Sequence, residues 1–133
     1  MTDRELINAA LAASEKSYSP YSGFKVGAAL LCADGSVYQG CNVECAAFGD
    51  TVCAEKTAIT KAISEGKRRF TMLAVAAQSD TYCMPCGSCR QFIAEFAHDI
   101  EILSARSDGR YVSYKLRQLL PYSFDLGEKP LDE

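Results

Sequence analysis

Three cysteines and one glutamate, in Cys53-Ala54-Glu55 and Pro85-Cys86-Gly87-Ser88-Cys89, are the residues of this chain best suited to chemistry. Thiolates bind a borderline-soft divalent ion well, and C-x-x-C spacing puts Cys86 and Cys89 on one helical face, where both reach the same ion. Cys53 supplies a third ligand. Three protein ligands leave one tetrahedral position open, as a catalytic zinc centre requires, whereas a structural site fills all four with protein. Glu55, two residues after Cys53, lies close to such an ion while free not to ligate it, and a carboxylate there can carry protons. Three thiolates on Zn²⁺ leave a net negative charge, which weakens the metal as a Lewis acid. Lys56 and Arg90, each directly after a motif, are the expected compensation, together with the positive ends of helices that begin at Cys53 and Cys86.

The chain has one histidine, His98, at the expected C-terminal end of a helix, where it reads as a surface residue favoured by the helix dipole. No Ser/His/Asp or Cys/His nucleophile can be assembled around it there. A metal-activated water with a carboxylate as proton carrier is therefore the hydrolytic machinery that the sequence visibly contains. Spacing alone leaves two alternatives open. Cys83, in Cys83-Met84-Pro85-Cys86, could complete a closed four-cysteine structural zinc site. The run C-x-x-C-x-x-C could also hold an iron–sulfur cluster, although the ferredoxin pattern has a fourth cysteine followed by proline. Cys32, Cys41 and Cys45 read as small buried or loop hydrophobes.

The bulk properties fit a globular enzyme. With 133 residues, 48% hydrophobic and 23% charged, the chain can bury a real core. Seven cysteines are an odd number, and Asp3, Arg4, Glu5 and Asn8 interrupt any signal-peptide apolar region, so a disulfide framework is the weaker reading and a cytoplasmic location is expected. No apolar run reaches membrane-spanning length. A net charge of −3, with Lys67-Arg68-Arg69 as the one basic run, disfavours a nucleic-acid partner.

The elements that must hold these residues follow from periodicity. Thr2 and Glu5 form a T-x-x-E capping box before Leu6, Ala9, Ala10, Ala13 and Ser17, predicting a first helix that ends before Pro20. Val26 to Cys32 reads as a central strand, with Asp34-Gly35 turning into a second strand over Val37 to Val43. Helices are expected over Cys53 to Glu65, closed by Gly66, and over Cys86 to Ala97, with Phe92, Ile93 and Phe96 as its buried face. Strands at Thr71 to Ala77, Ile100 to Ala105 and Tyr111 to Tyr114, and a short helix over Lys115 to Leu120, complete the pattern. This order predicts an α/β chain, a three-layer α/β/α sandwich around a five-stranded mixed sheet, in one domain over residues 1–124 with a polar tail at 125–133.

C-A-E followed by P-C-x-x-C is similar to the zinc deaminase signature, with cysteine in place of the leading histidine. The likeness extends through Tyr18-Ser19-Pro20-Tyr21-Ser22-Gly23-Phe24-Lys25-Val26-Gly27-Ala28-Ala29-Leu30, Gly40-Cys41-Asn42-Val43-Glu44, Cys53-Ala54-Glu55-Lys56-Thr57-Ala58, Pro85-Cys86-Gly87-Ser88-Cys89-Arg90-Gln91, and Leu119-Leu120-Pro121 with Phe124. In this order the chain resembles the small homotetrameric, zinc-dependent cytidine deaminases of the cytidine and deoxycytidylate deaminase superfamily. The resemblance implies one zinc per subunit on Cys53, Cys86 and Cys89, with Glu55 as proton shuttle. It also implies that Phe24 packs on the pyrimidine, Asn42 and Glu44 bind the ribose hydroxyls, and the Ala54 N–H meets the base carbonyl. An aromatic matching Phe124 would arrive from a neighbouring subunit. The implied activity is hydrolytic deamination of cytidine and 2′-deoxycytidine to the uridines with release of ammonia. Three positions depart from the family pattern: Lys56 stands for an arginine, Cys45 for an asparagine and Phe48 for a tyrosine. The related blasticidin-S deaminases, which act on a modified cytosine nucleoside, are the alternative within this chemistry, and editing of RNA or single-stranded DNA uses the same kind of metal site. A non-catalytic zinc-stabilised module is the alternative from another class.

Overall fold

The computed structural model describes residues 1–127, so the polar tail expected at 125–133 lies outside the described residues from 128 onward. Helix α1 spans Asp3–Ser14 and opens as its sequence requires: Thr2 Oγ1 accepts the Glu5 N–H at 3.1 Å and the Glu5 carboxylate accepts the Thr2 N–H at 2.9 Å. The helix stops short of Ser17, and the chain tightens there because the Lys16 and Ser17 N–H groups bond the Ala13 and Ser14 carbonyls. Strand β1 covers Val26–Cys32 and strand β2 Val37–Cys41, two residues shorter than expected, joined through a turn in which Gly35 takes φ +91°. Helix α2 runs over Ala54–Ser64, strand β3 over Phe70–Ala77, helix α3 over Gly87–Phe96, strand β4 over Glu101–Ala105, strand β5 over Tyr111–Lys115 and helix α4 over Leu116–Leu119. A short 3-10 turn at Phe48–Asp50 has no counterpart in the sequence reading.

The C-terminus of α2 is fixed by Gly66. Its N–H bonds the Ile63 carbonyl and the Lys67 N–H reaches back to Ala62, both at 3.0 Å, a Schellman closure that needs the positive φ glycine adopts freely.

The sheet has the order β2-β1-β3-β4-β5, with β3 and β4 parallel and the other neighbours antiparallel. The parallel pair is joined through α3, as a crossover demands. Alternation along the strands sorts side chains to two faces. Ala29, Ala74, Ala76, Leu103 and Ala105 pack against Leu6, Ile7 and Ala10 of α1. Ala28, Leu30, Leu73, Val75 and Ile102 pack against Ala54, Ala58, Ile59 and Ala62 of α2 and Ile93 and Ala94 of α3. The result is the expected α/β/α sandwich, in which each fully buried Leu or Ile contributes about 1.5–3 kcal/mol. Of the aromatic face expected on α3, Ile93 is fully buried, whereas Phe92 and Phe96 lie partly buried at the edge of this core, 5.3 Å apart in an edge-to-face pair.

Small residues decide how closely α2 approaches the sheet. A Cβ on Gly40 of β2 would lie 2.5 Å from the Ala58 nitrogen and 2.6 Å from the Ala54 carbonyl oxygen, so only glycine lets the first turn of α2 press on this strand. The Thr57 hydroxyl fastens the same junction by donating to the Cys41 carbonyl at 3.1 Å. Gly40→Ala is therefore expected to destabilise the protein by about 1–3 kcal/mol and to lower its zinc content. Gly49→Ala, with nothing within 4 Å of the added carbon, is expected to do neither. Thermal melts and metal analysis of the two variants check this, and equal stability would show that α2 is not held by the glycine contact.

Candidate metal and catalytic site

Helices α2 and α3 both begin with a cysteine as N-cap. Cys53 caps α2 in an extended conformation, and Cys86 caps α3 with its sulfur accepting the Cys89 N–H at 3.4 Å. Each helix start leaves N–H groups without intrahelical acceptors and carries partial positive charge, so both starts favour anionic sulfur. The Sγ atoms of Cys53, Cys86 and Cys89 lie within 4.8 Å of one another. Sulfurs on one tetrahedral zinc are about 3.8 Å apart, given bonds of about 2.3 Å, so this group needs little adjustment to close on an ion. Cys89 is buried, Cys53 half-buried and Cys86 exposed, leaving one side of the cluster open.

The donor set itself calls for a cation. A hydrogen bond from the Cys89 thiol, helped by the Cys86 thiol and the Lys56 charge, lowers the Cys53 pKa to about 6 against the effect of burial. The same bond, together with burial and the charges of Glu55 and Cys53, raises the Cys89 pKa. Without a metal, ionising one of these thiols opposes ionising its neighbours. Only a positive ion lets all three ionise side by side. The residues present fit a zinc ion.

Cys83 does not belong to this sulfur group. It is buried, and burial, with the charges of Glu55 and Cys53, pushes its thiol up to about 12. It packs in the core with Ala54, Ala58 and Ile93 as a small neutral hydrophobe.

Glu55, on the first turn of α2, is 4% exposed. Burial raises its carboxyl pKa to about 7, and the nearby Cys53 charge adds to the rise; its own backbone N–H, the Cys89 thiol and Lys56 oppose it. That value belongs to the site without an ion; a buried carboxyl at this place can both take and give a proton. The Ala54 N–H, next to it at the start of α2, is among the helix donors that have no intrahelical acceptor.

The two basic residues act differently from one another. Lys56 Nζ bonds the Ser88 hydroxyl at 2.9 Å and lies 5.6 Å from the Phe92 ring centroid, so its charge sits beside the P-C-G-S-C loop. Arg90 does not turn toward the sulfurs. Its Nε donates to the Pro85 carbonyl and its Nη1 to the Leu119 carbonyl, both at 2.8 Å, tying the loop to α4. Ser88 was not singled out by the sequence, because its pairing with Lys56 spans 32 residues and leaves no periodic trace.

The residues assigned to the sugar and base edge lie on a second set of loops. Asn42 is buried, and its amide donates to the Phe24 carbonyl at 2.8 Å and accepts the Val26 N–H at 3.0 Å and the Ser17 hydroxyl at 2.5 Å. Glu44 accepts the Tyr21 and Ser22 N–H groups at 3.0 and 3.1 Å and the Ser22 hydroxyl. Phe24 is 45% exposed. Phe48, on the 3-10 turn, is exposed and meets Tyr21 edge-to-face at 6.3 Å, and the Cys45 thiol contacts the Asp50 carbonyl at 3.6 Å. Phe124 presents an exposed ring, while its carbonyl accepts from Gln91 Nε2 at 2.9 Å. His98 is exposed, with its Nε2 3.9 Å from Asp125, as a surface residue should be.

Comparison with known proteins identifies the family of the chain. Residues 1–103 match the family profile described as the cytidine and deoxycytidylate deaminase zinc-binding region. The cytidine deaminase of Sporosarcina psychrophila is 44% identical over 125 residues, 93% of this chain and 92% of that protein. That of Halalkalibacterium halodurans is 45% identical over 124 residues, 92% of this chain and 94% of that protein. Among solved structures, the cytidine deaminase of Burkholderia pseudomallei superposes with a TM-score of 0.90 at 43% identity, covering 93% of this chain and all of that one (100%). The Mycobacterium tuberculosis enzyme does so with a TM-score of 0.81 at 38% identity, covering 95% of this chain and 100% of the other. The chain belongs to the cytidine and deoxycytidylate deaminase zinc-binding family.

Proposed function

We propose that the protein hydrolyses cytidine and 2′-deoxycytidine to uridine and 2′-deoxyuridine, releasing ammonia, with one zinc per subunit on Cys53, Cys86 and Cys89. The observation that carries this reading is the buried Glu55 carboxyl, 4% exposed, beside a group of three rather than four sulfurs. A structural zinc module has no use for an acid held there, and its fourth sulfur would have to come from a thiol such as Cys83 that stands outside the group. The zinc, when bound, supplies Lewis acidity that makes a water molecule nucleophilic near neutral pH.

Glu55 does the proton work. It accepts a proton from the attacking water and passes it to ring N3 as the new C4–O bond forms. It then carries the hydroxyl proton to the amine, the C4–N bond breaks, and ammonia leaves with C4 as a carbonyl. The Ala54 N–H orients the base through its carbonyl, Phe24 packs on the ring, and Asn42 and Glu44 hold the ribose hydroxyls. Lys56 offsets part of the thiolate charge, and Arg90 keeps the P-C-G-S-C loop in place through its two carbonyl contacts. Phe124, with its exposed ring, completes the site of a neighbouring subunit in a homotetramer. No helix among the described residues is long and apolar enough to cross a membrane. A cytoplasmic role in pyrimidine salvage, with neither nucleic acid nor membrane as partner, belongs to the proposed reading.

Glu55→Gln is expected to retain zinc by metal analysis and to lose at least about 10²–10⁴-fold in kcat; near-full turnover of a zinc-loaded variant would remove Glu55 from the mechanism. Ammonia release, measured over a panel of cytidine, deoxycytidine, cytosine, CMP, adenosine, guanine and blasticidin S, is expected with the first two. Release from blasticidin S alone would keep the reaction and change the substrate.

A further inference from the structure

Phe24 is held in an unusual way for an aromatic residue. The residue is 45% exposed, so the core does not fix it, and it precedes β1, so the sheet ladder does not either. Both of its backbone polar groups are instead taken by side chains. The Phe24 N–H bonds Ser22 Oγ at 3.0 Å, and the Phe24 carbonyl accepts from Asn42 Nδ2 at 2.8 Å. Gly23 makes the bend possible with φ +69°, and its N–H closes the turn on the Ser19 carbonyl at 2.9 Å.

Ser22 is the joint of this arrangement. Its hydroxyl accepts from Phe24 N–H and at the same time donates to Glu44 Oε2, using both of its capacities. The Ser22 N–H adds a bond to Glu44 Oε1 at 3.1 Å, beside that from Tyr21 at 3.0 Å. Three donors thus aim one carboxylate, and the hydrogen bonds from Ser22 lower the Glu44 pKa, keeping it ionised and acceptor-only. One hydroxyl therefore couples the orientation of an aromatic ring to that of a carboxylate that follows β2.

We propose that Ser22 is a positioning residue that sets Phe24 and Glu44 as one unit, a preformed edge for the base and sugar of the nucleoside. The inference rests on the roles of Phe24 and Glu44 in the proposed function, but its structural half does not. Alanine at position 22 removes both bonds of the hydroxyl, whereas threonine preserves them.

The test uses zinc-loaded full-length protein with two independent readouts. Amide hydrogen exchange at Phe24, measured without substrate, is expected to quicken about tenfold in Ser22→Ala and to return to the wild-type rate in Ser22→Thr. With cytidine, KM is expected to rise about tenfold in Ser22→Ala at a kcat within about twofold of wild type, with threonine again restoring it. Unchanged exchange at Phe24 overturns the inference even in an active deaminase, and so does a fall in kcat at unchanged KM. Wild-type turnover of cytidine, measured alongside, reports separately on the function.

Discussion

Three sulfurs within 4.8 Å of one another cannot all carry negative charge unless something positive joins them, and the rest of the site is arranged around that constraint. The protein meets part of it with backbone. Two helices start at one point, each with a cysteine as N-cap, so that their free N–H groups and dipole ends face the thiols. Lys56 adds a full charge, steadied by Ser88 and the Phe92 face, where the arginine expected from the resemblance would offer a planar fork. A lysine tied to a loop hydroxyl keeps the charge while giving the pairing a different geometry. Glu55 experiences the same field from the opposite side: burial and the thiolate charge hold its proton near neutrality, and a divalent ion on the sulfurs would pull its pKa down.

The convergence of the two helix starts depends on packing some distance away. Helix α2 lies close to the sheet because Ala54, Ala58 and Ala62 face it and because Gly40 leaves room for the helix backbone. Larger side chains on either surface would lift the turn that carries Cys53 and Glu55. Arg90 bridges helix α3 to its surroundings through two carbonyl contacts that make the second cysteine loop continuous with α4. The sheet, the small residues and this arginine are thus parts of the metal site at one remove.

Much of this was legible in the residues because it is set by local rules. The Thr2–Glu5 capping box, the apolar run of β1, the Asp34-Gly35 turn and the Gly66 closure each rest on contacts a few residues apart, and each forms where expected. The three cysteines were legible because metal chemistry restricts their spacing. Departures occur where tertiary contacts decide. Strand β2 ends at Cys41 because Val43 leaves the ladder to make isolated bridges with Tyr18 and Val52. Arg90 reads as a charge beside a thiolate and instead bonds two carbonyls, one of them 29 residues away. Asn42 falls in the strand expected over Val37 to Val43, yet it lies past the end of β2, buried and hydrogen-bonded to Ser17, Phe24 and Val26.

The proposed centre has an open coordination position: three cysteine sulfurs on the metal and one place left for water, with Cys83 outside the set. X-ray absorption on the zinc-loaded protein measures this directly. The expected result is three sulfur scatterers at about 2.3 Å and one lighter oxygen or nitrogen neighbour. Four sulfurs at that distance would contradict it and make the centre structural.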